Sequence, residues 1–416
     1  MKIAFVTTKL FEQPGNGGEM CTARLMDALV RAGHSLHLVG RGKAPPAGPG
    51  SDLVSAHSVG EAIGAFDSLA RWRQAGALLG AWAHGRASTV HRLSTGGTSA
   101  RVAQVLAALG RESGGPPDAV VADHLQALAW LPAGLELPVL LMMHNLEAEG
   151  YDERADLALV QGRRLHAAVY RREARLLHAL QALALRRAAA VACLSEADAG
   201  ILRRLALAVA VRPVVEVLPG FPLGAGGHQP SAPARAPVPG TRRIGLLGTW
   251  TWEPNREGLV WMLSQVFPLL PAGCTLTLAG RGLETVALPA APAGRIVKLG
   301  WIEDPQRFYD SVDVVALPSW SGSGVHEKSI EALVRSRVVV ATPHALRGLG
   351  TPLPPHVHVA ERPQDFATLC ALAGPGPEAA AATVRWAQQR RALYDAAVAR
   401  CVEALAASRD RVRCAA

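Results

Sequence analysis

The sequence predicts an α/β protein made of two doubly wound, parallel-sheet domains. Short apolar runs of strand length alternate with longer runs of helical spacing, and the alternation starts twice, at Lys2 and again at Arg243. Between the two starts, Pro219–Gly240 holds six Pro and five Gly and few large apolar residues, the composition of a domain boundary. We therefore expect a first domain over residues 1–222, a linker over 223–241, a second domain over 242–385, and a C-terminal helix over 386–416 that packs back toward the first domain.

The chain has 416 residues, 49% of them apolar, enough for two large cores. Lys2 begins a run of strand length rather than a secretory leader, and no stretch of eighteen apolar residues lacks charges. The six cysteines, at 21, 193, 274, 370, 401 and 414, lack metal-ligand spacing and suit a reduced, cytoplasmic protein. The net charge of +9 suits an anionic ligand, a membrane surface or nucleic acid. The charge is spread out and no recognition motif accompanies it, so a nucleic-acid partner is not expected.

In the first half, Lys2–Thr7 reads as a buried strand, followed by the loop Thr8–Gly18 and a helix over Glu19–Arg31 with Leu25, Met26, Leu29 and Val30 on one side. Gly17 and Gly18 stand where that helix begins, a place for phosphate. The spacing is not the dinucleotide fingerprint. Ser35–Val39 is a second strand, Arg41–Gly60 a loop, and Glu61–Leu109 mostly helical, with a polar segment His84–Gly97. Asp118–Ala122 is a strand ending before Asp123 and His124, and Pro138–Met143 is another, ending before His144 and Asn145. Open α/β sheets bind ligands at such strand ends, which makes His144 a candidate for chemistry. Leu157–Ala190 reads as one long helical region made basic by Arg163, Arg164, Arg171, Arg172, Arg175, Arg186 and Arg187, a face for solvent or for anionic lipid. Strands at Ala190–Leu194 and Val214–Leu218 complete the domain, with Ser195 as a helix N-cap.

In the second half, the strand Arg243–Leu247 leads into the loop Gly248–Asn255 and a helix over Glu257–Val266. Thr275–Leu278 ends in Ala279, Gly280, Arg281 and Gly282, and Ile296–Leu299 ends in Gly300, Trp301 and Ile302. After a short helix, Asp304–Ser311, comes the stretch on which the function turns, LPSWSGSGVHEKSIEALV over Leu317–Val334. An apolar strand, Val312–Leu317, runs into a turn of small residues that includes Ser323 and Gly324, and a helix follows from His326. Amide groups at a helix N-terminus attract anions, and small residues let a ligand approach them. Lys328 adds a full charge on the first turn, and Glu331 lies three residues on along the same face. A cation for phosphates and a carboxylate for sugar hydroxyls are what a nucleotide requires. Arg337–Ala341 is a further strand.

Taken together these residues resemble the group-1 glycosyltransferases, family 4 of the retaining enzymes. The resemblance implies a GT-B architecture, two Rossmann-like doubly wound domains facing a central cleft. GTWTWEPNREGLVWML, LAGRG, LGWIED and ALPSWSGSGVHEKSIEALVRSRVVVATPHALRGL stand in the family's order, and the Gly17–Gly18 loop, HNLE at 144–147 and LSEAD at 194–198 also fit. The resemblance implies that Glu331 binds the nucleotide ribose and that Lys328 meets the diphosphate; the family's usual Arg and Lys are absent from GTWTWEPN, and Lys328 and Arg281 stand in for them. Ile302, beside Trp301, would contact the base. Gly17, Gly18, Gly248, Thr249, Asn255, Ser323, Gly324, Val325, His326 and Glu327 would line the donor, with His144 near the reacting sugar. Ser323 stands where the family has a first glutamate facing the donor sugar.

The implied activity is transfer of a sugar from a nucleotide-diphosphate sugar to a hydroxyl of a glycan, lipid-linked glycan or natural product, with retention and without a metal or other cofactor. No Asp-x-Asp pair closes a strand, as a metal-dependent transferase of the other main fold would need. The expected location is the cytoplasm, with a peripheral contact to anionic membrane left open by the basic region. Two alternatives remain. One is a nucleotide-sugar-binding pseudoenzyme, suggested by Ser323. The other is a sugar-nucleotide epimerase, which would need a cluster of carboxylates and histidines that the sequence does not display.

Overall fold

The computed structural model describes residues 1–48, 51–63, 71–111, 115–222, 241–286, 294–322, 325–336, 338–376 and 378–415. The expected linker, Ser323, Gly324 and Arg337 lie outside the described residues, apart from Thr241 at the linker's end. The chain divides into two compact units, Met1–Leu218 with Tyr394–Ala416, and Pro219–Leu393.

The first unit holds β1 (Lys2–Thr7), α1 (Gly17–Arg31), β2 (Ser35–Gly40), β3 (Leu53–Ser58), α2 (Arg71–Ala83), α3 (Ser88–Leu93), α4 (Thr98–Arg111), β4 (Ala119–Asp123) and α5 (Leu125–Leu128). It continues with β5 (Val139–Met142), α6 (Glu147–Val160), α7 (Arg164–Arg187), β6 (Ala188–Cys193), α8 (Glu196–Ala208) and β7 (Val214–Val217). Its seven strands form one parallel sheet in the order β3-β2-β1-β4-β5-β6-β7. The second unit holds β8 (Arg242–Leu247), α9 (Glu253–Trp261), β9 (Cys274–Ala279), β10 (Ile296–Gly300), α10 (Pro305–Ser311), β11 (Val314–Leu317), α11 (Glu327–Arg335), β12 (Val339–Ala341), β13 (Val357–Val359) and α12 (Pro363–Leu372). Its six-stranded parallel sheet has the order β10-β9-β8-β11-β12-β13. The last helix, α13 (Ala379–Ala415), contributes to both units.

Both sheets thus repeat the Rossmann strand order, and in each the direction of winding reverses once, between β1 and β4 and between β8 and β11. The crevice at the carboxyl ends of such a strand pair is where open α/β sheets place ligands. The strands read as continuous apolar runs because helices cover both faces. In β11, Val314 and Ala316 join one buried cluster and Val315 and Leu317 the other, as side chains alternate across a strand.

The elements depart from expectation in a few places. The segment read as a loop over Arg41–Gly60 contains β3, an edge strand in which Leu53 alone is buried, so its apolar signal is weak. The helical region Leu157–Ala190 is two helices, α6 and α7, broken at Gly162, whose φ of +71° favours glycine. The helix expected from Glu257 begins at Glu253 with Pro254 in its first turn, where a missing N–H costs nothing, so Asn255 sits on the helix rather than in the loop. The helix expected from residue 386 begins at Ala379. Past Tyr394 it is fastened to the first unit: Arg31 forks onto Asp395 at 2.9 and 3.0 Å, and Arg400 forks onto Glu216 at 2.7 and 2.6 Å.

Candidate functional site

In the second unit the reversal between β8 and β11 brings the turns after β8, β9 and β10 together. The Gly280 amide donates to Gly300 O at 2.7 Å and the Trp250 amide to Arg281 O at 2.8 Å. Gly280 has φ +116°, and a Cβ there would lie 1.8 Å from Gly248 O. A Cβ on Gly258 would lie 1.7 Å from Pro318 O, so only glycine lets α9 meet the turn after β11. Neither contact was read from the sequence, because a glycine's neighbours are tertiary.

Asn255 is buried and joins these parts. Its Nδ2 donates to Thr249 O at 3.0 Å, and its Oδ1 accepts from Lys328 Nζ at 2.6 Å. Lys328 lies in the first turn of α11, half-buried, and its hydrogen bond goes to an amide rather than a carboxylate. Burial pushes its pKa down to about 8. Glu331 follows on the same helix, half-buried, and its charge adds to burial in raising the buried Tyr309 hydroxyl well above the usual range. His326 caps α11 and is buried; its Nδ1 lies 3.2 Å from Ser319 Oγ, and its buried Nε2 has no hydrogen-bond partner among the described residues. Burial, then Lys328, His344 and Arg347, push its pKa down to about 3, so it is neutral at physiological pH. Val325 and Glu327 flank it, half-buried. Ser321 donates a hydrogen bond to Glu257 of α9. At the far side, Trp301 is 60% exposed with the Arg281 guanidinium 4.3 Å from its ring centre, and Ile302 follows it, half-buried. Gly248 and Thr249 lie on the turn after β8.

In the first unit the reversal lies between β1 and β4. Asn16 caps α1, accepting from the Glu19 amide at 3.1 Å. The Glu19 carboxylate accepts from the Gly15 amide at 2.7 Å and from Asn16 Nδ2 at 2.8 Å, and pairs with Lys9. This reciprocal cap sets Gly17 and Gly18 as the first helical residues. Asp123, fully buried, ends β4 and accepts from Thr7 Oγ1 at 2.7 Å, Thr22 Oγ1 at 2.8 Å and His144 Nε2 at 2.6 Å. His124 Nδ1 lies 3.4 Å from the same carboxylate, and the two imidazoles stack at 3.8 Å with 8° between their planes. Burial opposes the charge on Asp123, yet His124 and His144 outweigh it and hold the carboxyl well below its usual range. Burial likewise opposes a charged His124, and Asp123 outweighs it and raises its pKa. A Cβ on Gly18 would lie 3.9 Å from His144 Nδ1, so that nitrogen edges the start of α1.

The carboxylate–histidine cluster not expected from sequence is therefore present in Asp123, His124 and His144. Among the described residues it is also the one group whose ligand atoms lie close enough, within 4.8 Å, to hold a metal ion. The signal was an entirely apolar strand closing on Asp-His, since a charge ending a buried strand needs partners. No helix among the described residues is long and apolar enough to cross a membrane.

Residues 241–388, a little over a third of the chain and almost all of the second unit, match the family model described as "Glycosyl transferases group 1". No curated protein matches the sequence. Among solved structures, Anabaena Alr3699/HepE in complex with UDP-glucose is similar at 13% identity over 99% of this chain and 98% of that one, with a TM-score of 0.47. The glycosyltransferase SnogD from Streptomyces nogalater is similar at 16% identity over 97% and 99%, with a TM-score of 0.44. WaaG, a glycosyltransferase involved in lipopolysaccharide biosynthesis, is similar at 12% identity over 94% and 95%, with a TM-score of 0.47. The class rests on the two sheets themselves: two Rossmann-like parallel-sheet units in succession, as in GT-B glycosyltransferases, the second carrying the group-1 region.

Proposed function

We propose that this protein is a retaining glycosyltransferase that takes its sugar from a nucleotide-diphosphate donor and needs no metal. The observation that carries the reading is Lys328: a desolvated cation, held by an amide, in the first turn of α11 at the sheet's point of reversal. An anion there recovers the charge interaction that burial removed. The donor diphosphate meets Lys328 and the α11 amides, Glu331 accepts from the ribose hydroxyls, and the exposed Trp301 face with Ile302 takes the base. Gly248, Thr249, Asn255, Val325, His326 and Glu327 complete the donor lining, with Arg281 oriented through Trp301.

As the bond from the anomeric carbon to the phosphate oxygen breaks, negative charge grows on the departing diphosphate. Lys328 and fixed N–H dipoles stabilise that charge. The acceptor oxygen bonds to the same face of the sugar, and its proton passes to the departing phosphate oxygen, so no protein nucleophile is consumed. The first unit takes the acceptor, a glycan, lipid-linked glycan or small molecule, with His144 held by Asp123 beside Gly17 and Gly18.

Thermal unfolding against a panel of nucleotide sugars tests the donor, since a ligand at a hundred times its Kd adds about 2.7 kcal/mol. Protection by at least one, followed by transfer to an acceptor with retained configuration, is expected; protection by none overturns the reading. The Asp123–His124–His144 cluster supports one competitor, an epimerase. Conversion of the nucleotide sugar to its epimer without acceptor would favour it.

A further inference from the structure

The α6–α7 hairpin is built inside out at its free end. Toward its base α7 buries large residues, Leu177 and Leu185. Toward the turn around Gly162 the buried positions are the alanines Ala155, Ala158 and Ala167, while the large apolar side chains point to solvent. Leu157 is 55% exposed, Leu159 43%, Val160 87% and Leu165 83%. One exposed leucine is ordinary; four within nine residues of one turn form a patch. Cations surround it. Arg163, Arg164 and His166 are exposed, and residues 157–172 contain no acid. Asp156, at the border, pairs with Arg171 at 3.5 Å. Arg172, by contrast, is bound to Glu173 at 2.7 Å and lies over the Trp82 ring, so it belongs to the hairpin's base.

We infer that this hairpin end docks on the surface of an anionic lipid bilayer. Leu157, Val160 and Leu165 enter the boundary between headgroups and acyl chains, and Arg163 and Arg164 meet lipid phosphates. An apolar patch alone would suit a second copy of the chain equally well. The acid-free, arginine-bearing rim does not, because two copies would bring like charges together, whereas anionic headgroups complement it. The inference is independent of the transfer reaction and of the donor.

Sedimentation of the full-length protein with vesicles tests it. Vesicles of phosphatidylcholine mixed equally with phosphatidylglycerol should carry the protein down at low salt, and phosphatidylcholine alone should carry much less. The variant L157Q/V160Q/L165Q, altered only at exposed sites, should melt as the parent does and lose about tenfold or more in partition. The variant R163S/R164S should lose about fivefold per arginine on the anionic vesicles, and added salt should remove the difference. If the apolar variant does not fold, the arginine variant decides. Parent protein that stays in solution with anionic vesicles overturns the inference, as do variants that sediment like the parent. So does a parent dimer that the apolar variant dissociates while vesicle binding is unchanged.

Discussion

Each unit buries a charge where its sheet reverses, but the two treat it in opposite ways. Asp123 is surrounded by two hydroxyls and two imidazoles, so the carboxylate is kept charged in spite of burial. Among the described residues Lys328 donates to the Asn255 amide oxygen, and burial pulls its pKa down. A buried charge with partners is part of the architecture; one left short of partners is a cost the fold carries, and such groups gather at functional sites. In the first unit the Asp123 charge is answered by its own neighbours. In the second unit the Lys328 charge meets an amide dipole rather than an opposite charge.

The largest expected effect tests that difference through stability. Asp123→Asn removes the charge that both histidines face, and breaking such a buried arrangement costs about 3–5 kcal/mol. Urea unfolding measures it. Because the folded pKa of Asp123 lies below the ordinary carboxyl value of 3.8, its contribution is present above that pH and lost as pH falls through the folded value. His124, with a folded pKa raised above 6.5, contributes below that pH and loses the contribution as pH rises through its folded value. An Asp123→Asn protein within about 1 kcal/mol of the parent would show that the cluster holds nothing together.

Lys328→Met should behave in the opposite sense. It removes a desolvated cation whose hydrogen bond goes to an amide oxygen, so stability should stay within about 1 kcal/mol of the parent or rise. Turnover should fall on the order of 10²–10³-fold, more than donor affinity, because the diphosphate charge that Lys328 meets is greatest as the sugar leaves. Steady-state kinetics on the folded variant, once the donor is known, reads both. A variant as unstable as Asp123→Asn with unchanged turnover would make Lys328 structural.

A smaller effect distinguishes binding from chemistry within the second unit. On the proposed reading, Glu331→Gln weakens hydrogen bonds to ribose hydroxyls that are alike in ground and transition states. The KM for donor should rise about tenfold with kcat nearly unchanged. A drop in kcat at unchanged KM would move Glu331 to the reacting sugar.

Most of this architecture was legible because doubly wound parallel sheets write themselves in long apolar runs and glycine turns. The Lys328–Glu331 helix and the glycines at both helix starts belong to that local signal. β3 escaped because it is an edge strand with little buried surface, and the break at Gly162 because the helical spacing continues on both sides of it. The site's partnerships escaped for another reason. Asn255 reaching Lys328 and Gly258 admitting Pro318 join residues 60 to 73 positions apart, and Asp123 receiving Thr7, Thr22 and His144 joins residues 21 to 116 apart. Local spacing says nothing of such pairs.

The smallest effect is a proton. Free Lys328 has its pKa pushed down to about 8, and a diphosphate beside it should raise that value by favouring the charged form. Binding near pH 8 should therefore take up a fraction of a proton, and affinity should fall as pH rises through 8, by at most tenfold per unit. The sign for folding is the reverse. The cost of burying charged Lys328 is fully present below pH 8 and is relieved as pH climbs from 8 toward the ordinary lysine value of 10.5, so unliganded stability should gain from this group over the range where nucleotide affinity declines. His326, already neutral, adds no proton at this pH, and the terminal phosphate of a nucleoside diphosphate is already largely ionised there. Calorimetric titration of the nucleoside diphosphate of whichever donor gives thermal protection, near pH 8 in two buffers with different ionisation enthalpies, measures the uptake directly. The parent should take up protons and Lys328→Met should take up none. Binding by the parent without proton uptake would mean that the nucleotide does not meet this lysine, and the contrast between the two buried charges would then be one of packing alone.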